Sequence, residues 1–104
     1  MVHVLAFITT KPGMRDTVLS SFNDNVPAVL AEDGCIEYGA TVDVANAGPI
    51  QTAVGEDSFV VVEKWVSMSA LGAHAKSAHM AAYAAKVKDM LAARVIHVLE
   101  PSAS

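Results

Sequence analysis

The sequence predicts an α+β protein of β-α-β-β-α-β order, the ferredoxin-like arrangement of a four-stranded antiparallel sheet with helices on one face. Three observations predict it. Four short apolar, β-branched runs alternate with two stretches of helical periodicity in that order. The third run, "FVVVEKWV", is apolar on both alternations: Phe59, Val61 and Trp65 on one side, Val60, Val62 and Val66 on the other. Strands of that kind are buried on both faces. Helices cover one face, and a second copy of the sheet is the simplest cover for the other. The expectation is a two-fold homodimer, a dimeric α/β barrel.

The elements follow in order. "VHVLAFITT" (2–10) reads as the first strand, and "KPG" turns the chain. From Met14 to Asp33, Val18, Phe22, Val26 and Leu30 recur at intervals of four, one helical stripe. Pro27 lies inside it and costs a helix interior about 3 kcal/mol. It predicts a kink, or a fresh start with Asn25 as N-cap. Gly34 closes the helix as the residue that tolerates a left-handed conformation. "CIEYGATVDV" (35–44) is the second strand. Residues 45–58 form a long loop, of a length often seen in binding loops or lids. "FVVVEKWV" (59–66) is the third strand. Ser67 can cap a short helix through His74. Ser77 can cap another, with Met80, Ala84, Val87 and Leu91 as its stripe. "ARVIHVLEP" (93–101) is the fourth strand.

With 104 residues the chain reads as a single domain, 1–104. Apolar residues make up 53% and charged residues 17%, which fits a surface partly covered by a partner chain. A net charge of −4 argues against nucleic acid. No run is long and apolar enough to span a membrane, and the first ten residues lack the pattern of a signal peptide. The single Cys35 excludes an internal disulfide and fits a reducing compartment, so a cytoplasmic location is expected.

The chemistry-bearing residues gather around the third strand. Glu63 shares a face with Val61 and Trp65, and carboxylates on apolar faces are rare unless paired. It reads either as half of an ion pair or as the carboxylate that orients a histidine. His74 and His79 follow at once in the chain. Each can be an ordinary helix-surface residue or an acid–base group suited to neutral pH. His79 falls in the first turn of its helix, where the dipole disfavours positive charge. Their spacing is not that of a zinc signature, and His3 and His97 lack an evident third ligand. No metal is therefore expected. Trp65, Tyr38, Tyr83, Val61 and Met80 can line a pocket for a flat ligand, although the plain reading of such residues is core.

These residues also carry a resemblance. "EKWVSMSALGAHAKSAHMAAY" (63–83) resembles the E-x-W…L-x-x-H…H-M signature of the antibiotic biosynthesis monooxygenase family. "KPG", "VPAVLAEDGCIEYGATVDV" and the final "LEP" extend the likeness to that family's small quinol monooxygenases. The resemblance implies a homodimer of ferredoxin-like domains with a pocket between sheet and helices. It implies oxidation of quinol-like aromatics by molecular oxygen without metal, flavin or other cofactor. It places Glu63, Trp65, His74 and His79 at the motif positions. Haem-degrading members carry a histidine where this chain has Tyr83, and anthrone-oxidising members carry an asparagine where it has Val61.

The leading expectation is a cofactor-independent quinol monooxygenase. His74 or His79 would be the base, Glu63 would hold the imidazole, and Tyr38 or Trp65 would donate to a substrate oxygen. The alternatives are an acid–base isomerase or lyase of a small oxygenated carbonyl compound, and a non-catalytic binding protein of stress response. A phosphorylated substrate would need cations in the pocket. Lys64, Lys76, Lys86, Lys88 and Arg94 are the ones near in sequence.

Overall fold

Alternation along the strands decides which side of the sheet the helices occupy. A computed structural model describes residues 1–103. Strands β1 (Val2–Thr10), β2 (Cys35–Thr41), β3 (Ser58–Trp65) and β4 (Leu91–Leu99) form one antiparallel sheet in the order β2-β3-β1-β4. Val2, Val4, Ala6 and Ile8 of β1 are buried, as are Phe59, Val61, Glu63 and Trp65 of β3. Helices α1 (Arg15–Leu30), α2 (Met68–Ala75) and α3 (Ala78–Val87) bring their apolar residues to this ferredoxin-like core. The intervening side chains, among them Val60, Val62 and Phe7, are half-buried or exposed on the other face.

Helix α1 runs unbroken through Pro27, and neither the fresh start at Asn25 nor a run to Asp33 occurs. The Ala31 amide reaches back to the Pro27 carbonyl at 3.2 Å, so the helix completes its ladder beyond the proline. The inward stripe is Val18, Phe22 and Val29, with Val26 half-buried and Leu30 turned out. A strict interval of four drifts around a helix of 3.6 residues per turn, and the last step inward is therefore three. Gly34 adopts φ +83° as expected. Its hydrogen has close neighbours: a Cβ there would lie 2.6 Å from Ala70 Cβ and 2.7 Å from Val66 Cγ2.

Both serine caps form. Ser67 Oγ accepts from the Ala70 amide at 3.1 Å, and Ser77 Oγ from the Met80 amide at 3.4 Å. Strand β4 begins at Leu91 instead of Ala93, because a 3-10 turn over Lys88–Met90 ends α3 early. The Lys11 amide then bonds the Met90 carbonyl at 2.8 Å, and Leu91 pairs with Thr10. Strand β2 stops at Thr41, short of Val44. The following loop is fastened by Asp43, whose carboxylate accepts from the Val54 and Gly55 amides at 2.9 and 3.0 Å.

Candidate active site

A cavity of about 330 Å³ lies between the sheet and the α1 and α3 helices. That is within the roughly 300–1,000 Å³ of small-molecule sites. Ala6, Ile8 and Val61 contribute from the sheet, and Met80, Tyr83 and Val87 from α3. Tyr38, Phe22 and Glu63 complete the inner wall. No residue of the loop between β2 and β3 lines it.

Among the described residues Glu63 is the one carboxylate in the cavity wall, and it is 8% exposed. Strand alternation places it two residues before Trp65 on the inner face, and the Trp65 indole Nε1–H donates to Glu63 Oε1 at 2.9 Å. Burial pushes the Glu63 carboxyl above the usual range. The Trp65 bond and the attraction of His74 only partly oppose this. The pairing expected for a buried carboxylate is thus made with an indole and a nearby imidazole, and among the described residues no lysine or arginine pairs with it.

His74 lies in the last turn of α2 and is 4% exposed. Its ring packs on Trp65 with centroids 4.6 Å apart, and its Nε2 is 4.0 Å from Glu63 Oε1. On its other side Nδ1–H donates to Glu32 Oε2 at 2.8 Å. His79, second residue of α3, places Nε2 2.9 Å from the same oxygen. Two imidazoles thus converge on one carboxylate. Burial disfavours a charged Glu32, but its hydrogen bonds to both histidines outweigh that and hold its carboxyl below the usual range.

Glu32 was not legible in the sequence. It sits in the turn after α1, outside any periodic pattern, and reaches the histidines only when α1 and α2 fold together. It also completes a set that histidine spacing alone did not show. Glu32, His74 and His79 each offer a ligand-type atom, all within 4.8 Å of one another. In this structure the imidazole nitrogens bond the shared Glu32 oxygen, so the set is internally satisfied.

Tyr38, Tyr83, Val61 and Met80 meet at the cavity, and Glu63, expected to stand behind a histidine, joins them in its wall. Trp65 and His74 stand beside Glu63 and do not line the cavity, and His79 instead borders a separate hollow with Ser21, Tyr83 and Lys86. Tyr38 stacks on Phe22 at 5.1 Å, and its hydroxyl has only a long 3.9 Å contact to Met80 Sδ. Burial raises the Tyr38 phenol far above its ordinary value and pushes Tyr83 up to about 12. Both remain protonated at neutral pH and can donate a hydrogen bond to a ligand. At the mouth are Lys88 and Arg94, two of the five cations the sequence offered to an acidic substrate, whereas Lys64, Lys76 and Lys86 do not line the cavity.

An apolar cavity with a buried carboxylate and two phenols, on a ferredoxin-like frame, defines a small-molecule enzyme with acid–base groups. The antibiotic biosynthesis monooxygenase family profile matches residues 1–86. The chain is 41% identical to the "Probable quinol monooxygenase YgiN" of Escherichia coli over 103 residues, covering 97% of this chain and 98% of that one. The solved structure of Rv0793 from Mycobacterium tuberculosis aligns with a TM-score of 0.78 at 26% identity, over 99% of this chain and 98% of that one. PA3566 from Pseudomonas aeruginosa aligns at 0.80 and 22% identity, over 98% and 94%, which shows the shared fold. The chain belongs to the antibiotic biosynthesis monooxygenase family. Among the described residues no helix is long and apolar enough to cross a membrane.

Proposed function

We propose that the protein is a cofactor-independent monooxygenase of quinol-like aromatics, with Glu63 as the base that meets the substrate. The observation that carries this is the position of Glu63 in an apolar cavity, with burial raising its carboxyl. A base works best when its pKa approaches the operating pH, and desolvation moves Glu63 in that direction. The roles expected from the sequence are then exchanged. Glu63 takes the phenolic proton, and His74, 4.0 Å behind it, stabilises or relays the charge toward Glu32 and the half-exposed His79.

The balance is one quinol and one O2 to one hydroxylated quinone and one water. Loss of a phenolic proton to Glu63 makes the quinolate a good electron donor. One electron passes to O2, and the two radicals combine at a ring carbon. Glu63 returns its proton to the peroxide. The O–O bond breaks as the ring C–H proton leaves, so a new C=O forms and hydroxide and proton depart as water. Tyr38 and Tyr83, held protonated by burial, are the donors for the oxyanion. The quinol-oxidising name of the Escherichia coli relative supports this substrate class.

The homodimer belongs to the same reading. Phe7 and Val95, cross-strand partners on the open face, are 38% and 52% exposed, and a second sheet is the natural cover. The test is oxygen uptake with a naphthoquinol, using protein stripped of metal by chelation and free of flavin. The expected result is turnover well above buffer. A rate equal to buffer across several quinols, at demonstrated saturation, overturns the reading.

A further inference from the structure

We propose that Lys88 and Arg94 form an anion subsite at the cavity mouth, so that the preferred ligand is a hydroxylated bicyclic aromatic bearing an acidic substituent far from its hydroxyl. The inference rests on the cavity being the substrate site, and it adds what distinguishes one aromatic from another.

Both cations line the cavity, and both are exposed at its rim. Among the described residues neither makes an ion pair or a side-chain hydrogen bond. Lys11, Lys76 and Lys86 make none either, and Lys64 pairs with Glu37 at 3.5 Å; Lys88 and Arg94 differ from all of these in lining the cavity. In a chain of net charge −4, these two cations meet at one apolar cavity, with no carboxylate but Glu63 among its described lining residues. The early end of α3 creates it. The 3-10 turn places Lys88 beside the start of β4, and strand alternation brings Arg94 to the helix-covered face with Ile96.

The sheet register sets the spacing. Glu63 pairs with Val4, and Arg94 pairs with Ile8. Between those rungs the strand advances about 13 Å, and crossing from β3 over β1 to β4 adds about 10 Å sideways. Both side chains rise from the same face, so the span stays at about 16 Å, and a hydrogen bond of about 3 Å at each end leaves roughly the length of a substituted naphthalene. One end of that span presents Glu63 and Tyr38 to a hydroxyl, and the other presents two cations to an acid. A guanidinium binds a carboxylate through two parallel hydrogen bonds, and an ammonium adds a point charge. The apolar walls between them suit fused rings and reject a fully polar metabolite.

The test uses redox-inert probes, so that binding is separated from oxygen chemistry. Titration of 6-hydroxy-2-naphthoate, 6-hydroxy-2-naphthalenesulfonate and 2-naphthol is followed by ligand fluorescence in low salt. The expected result is that the two anions bind about tenfold tighter than 2-naphthol, as charge-assisted contacts allow. In Arg94→Gln and Lys88→Gln each anion should weaken several-fold, and in the double variant the advantage over 2-naphthol should vanish. Retained 2-naphthol affinity shows that these variants are folded. Tightening of the carboxylate alone also supports the subsite and assigns the bidentate arginine contact as its source. Anions that bind no tighter than 2-naphthol, or an advantage that survives the double substitution, overturn it. Neither outcome depends on turnover of a quinol, so failure here leaves the monooxygenase reading to its own oxygen-uptake test.

Discussion

Replacing Glu32 by alanine removes the acceptor shared by two imidazoles, and the consequence can be worked from their surroundings. The His74 side chain is 6% exposed, so its Nδ1–H, 2.8 Å from Glu32 Oε2, has no water to turn to. A buried donor left unsatisfied costs about 1–3 kcal/mol, and hydrogen bonds to charged groups lie toward the upper end. The His79 side chain is 31% exposed and recovers most of its loss from solvent. Glu32→Ala should therefore destabilise by about 2–3 kcal/mol. Glu32→Gln keeps an oxygen acceptor and loses only the charge, for about 1 kcal/mol. At about 4–8 °C per kcal/mol for a domain near this size, the alanine variant should melt some 10–20 °C lower. The pH dependence gives a second check. Glu32 is held below its ordinary 4.5 in the folded state, so its contribution is present above that value and is lost as pH falls through the folded one. Urea unfolding at pH 7 and at stepped pH values below 4.5 should show the advantage of the wild type over Glu32→Gln shrinking as the pH falls. An alanine variant within 0.5 kcal/mol of wild type, or a gap that does not change with pH, would refute the reasoning.

Three further outcomes are expected. Glu63→Gln should be more stable than wild type at pH 7, because the folded state raises the Glu63 carboxyl and so penalises its charged form. That gain should shrink in urea titrations as pH falls toward 4.5, where the unfolded carboxyl also protonates. Gly34→Ala should destabilise by about 2–4 kcal/mol, combining left-handed backbone strain with overpacking against Ala70 and Val66, as read by thermal denaturation. Analytical ultracentrifugation at micromolar concentration should find the wild type dimeric and Phe7→Glu dissociated, since Phe7 lies on the open face of the sheet. A stable, soluble wild-type monomer would remove the case for sheet-to-sheet pairing.

Period-2 alternation was enough to place Phe59, Val61, Glu63 and Trp65 on one buried face, because a strand's side chains leave no other choice. The two serine caps were equally legible, since a hydroxyl before an apolar stretch satisfies amides within one turn. Contacts made across elements were not. Glu32 joins His74 and His79 over more than forty positions of chain, and its own neighbours in sequence carry no trace of that meeting. Arg94 needed the shift of β4 to Leu91 and its pairing with Ile8 before its face was known. The histidines drew notice through their chemistry and their motif. Only packing shows that His74 stands behind Glu63 and that His79 lies away from the cavity. Pro27 does not restart the helix for a related reason: the proline forfeits one hydrogen bond, and the burial of Val29 in the next turn carries the helix through.

The most direct test of Glu63 as the proton acceptor is the oxygen-uptake rate of Glu63→Gln at saturating naphthoquinol and pH 7. Glutamine keeps an oxygen for the Trp65 indole to bond but cannot take a proton at that pH. Loss of a general base lowers turnover by about 100- to 10,000-fold. The account predicts a fall in kcat of at least that lower figure, with 2-naphthol binding retained. A Glu63→Gln enzyme that turns over within a few-fold of wild type, on a cavity that still binds the probe, would contradict it.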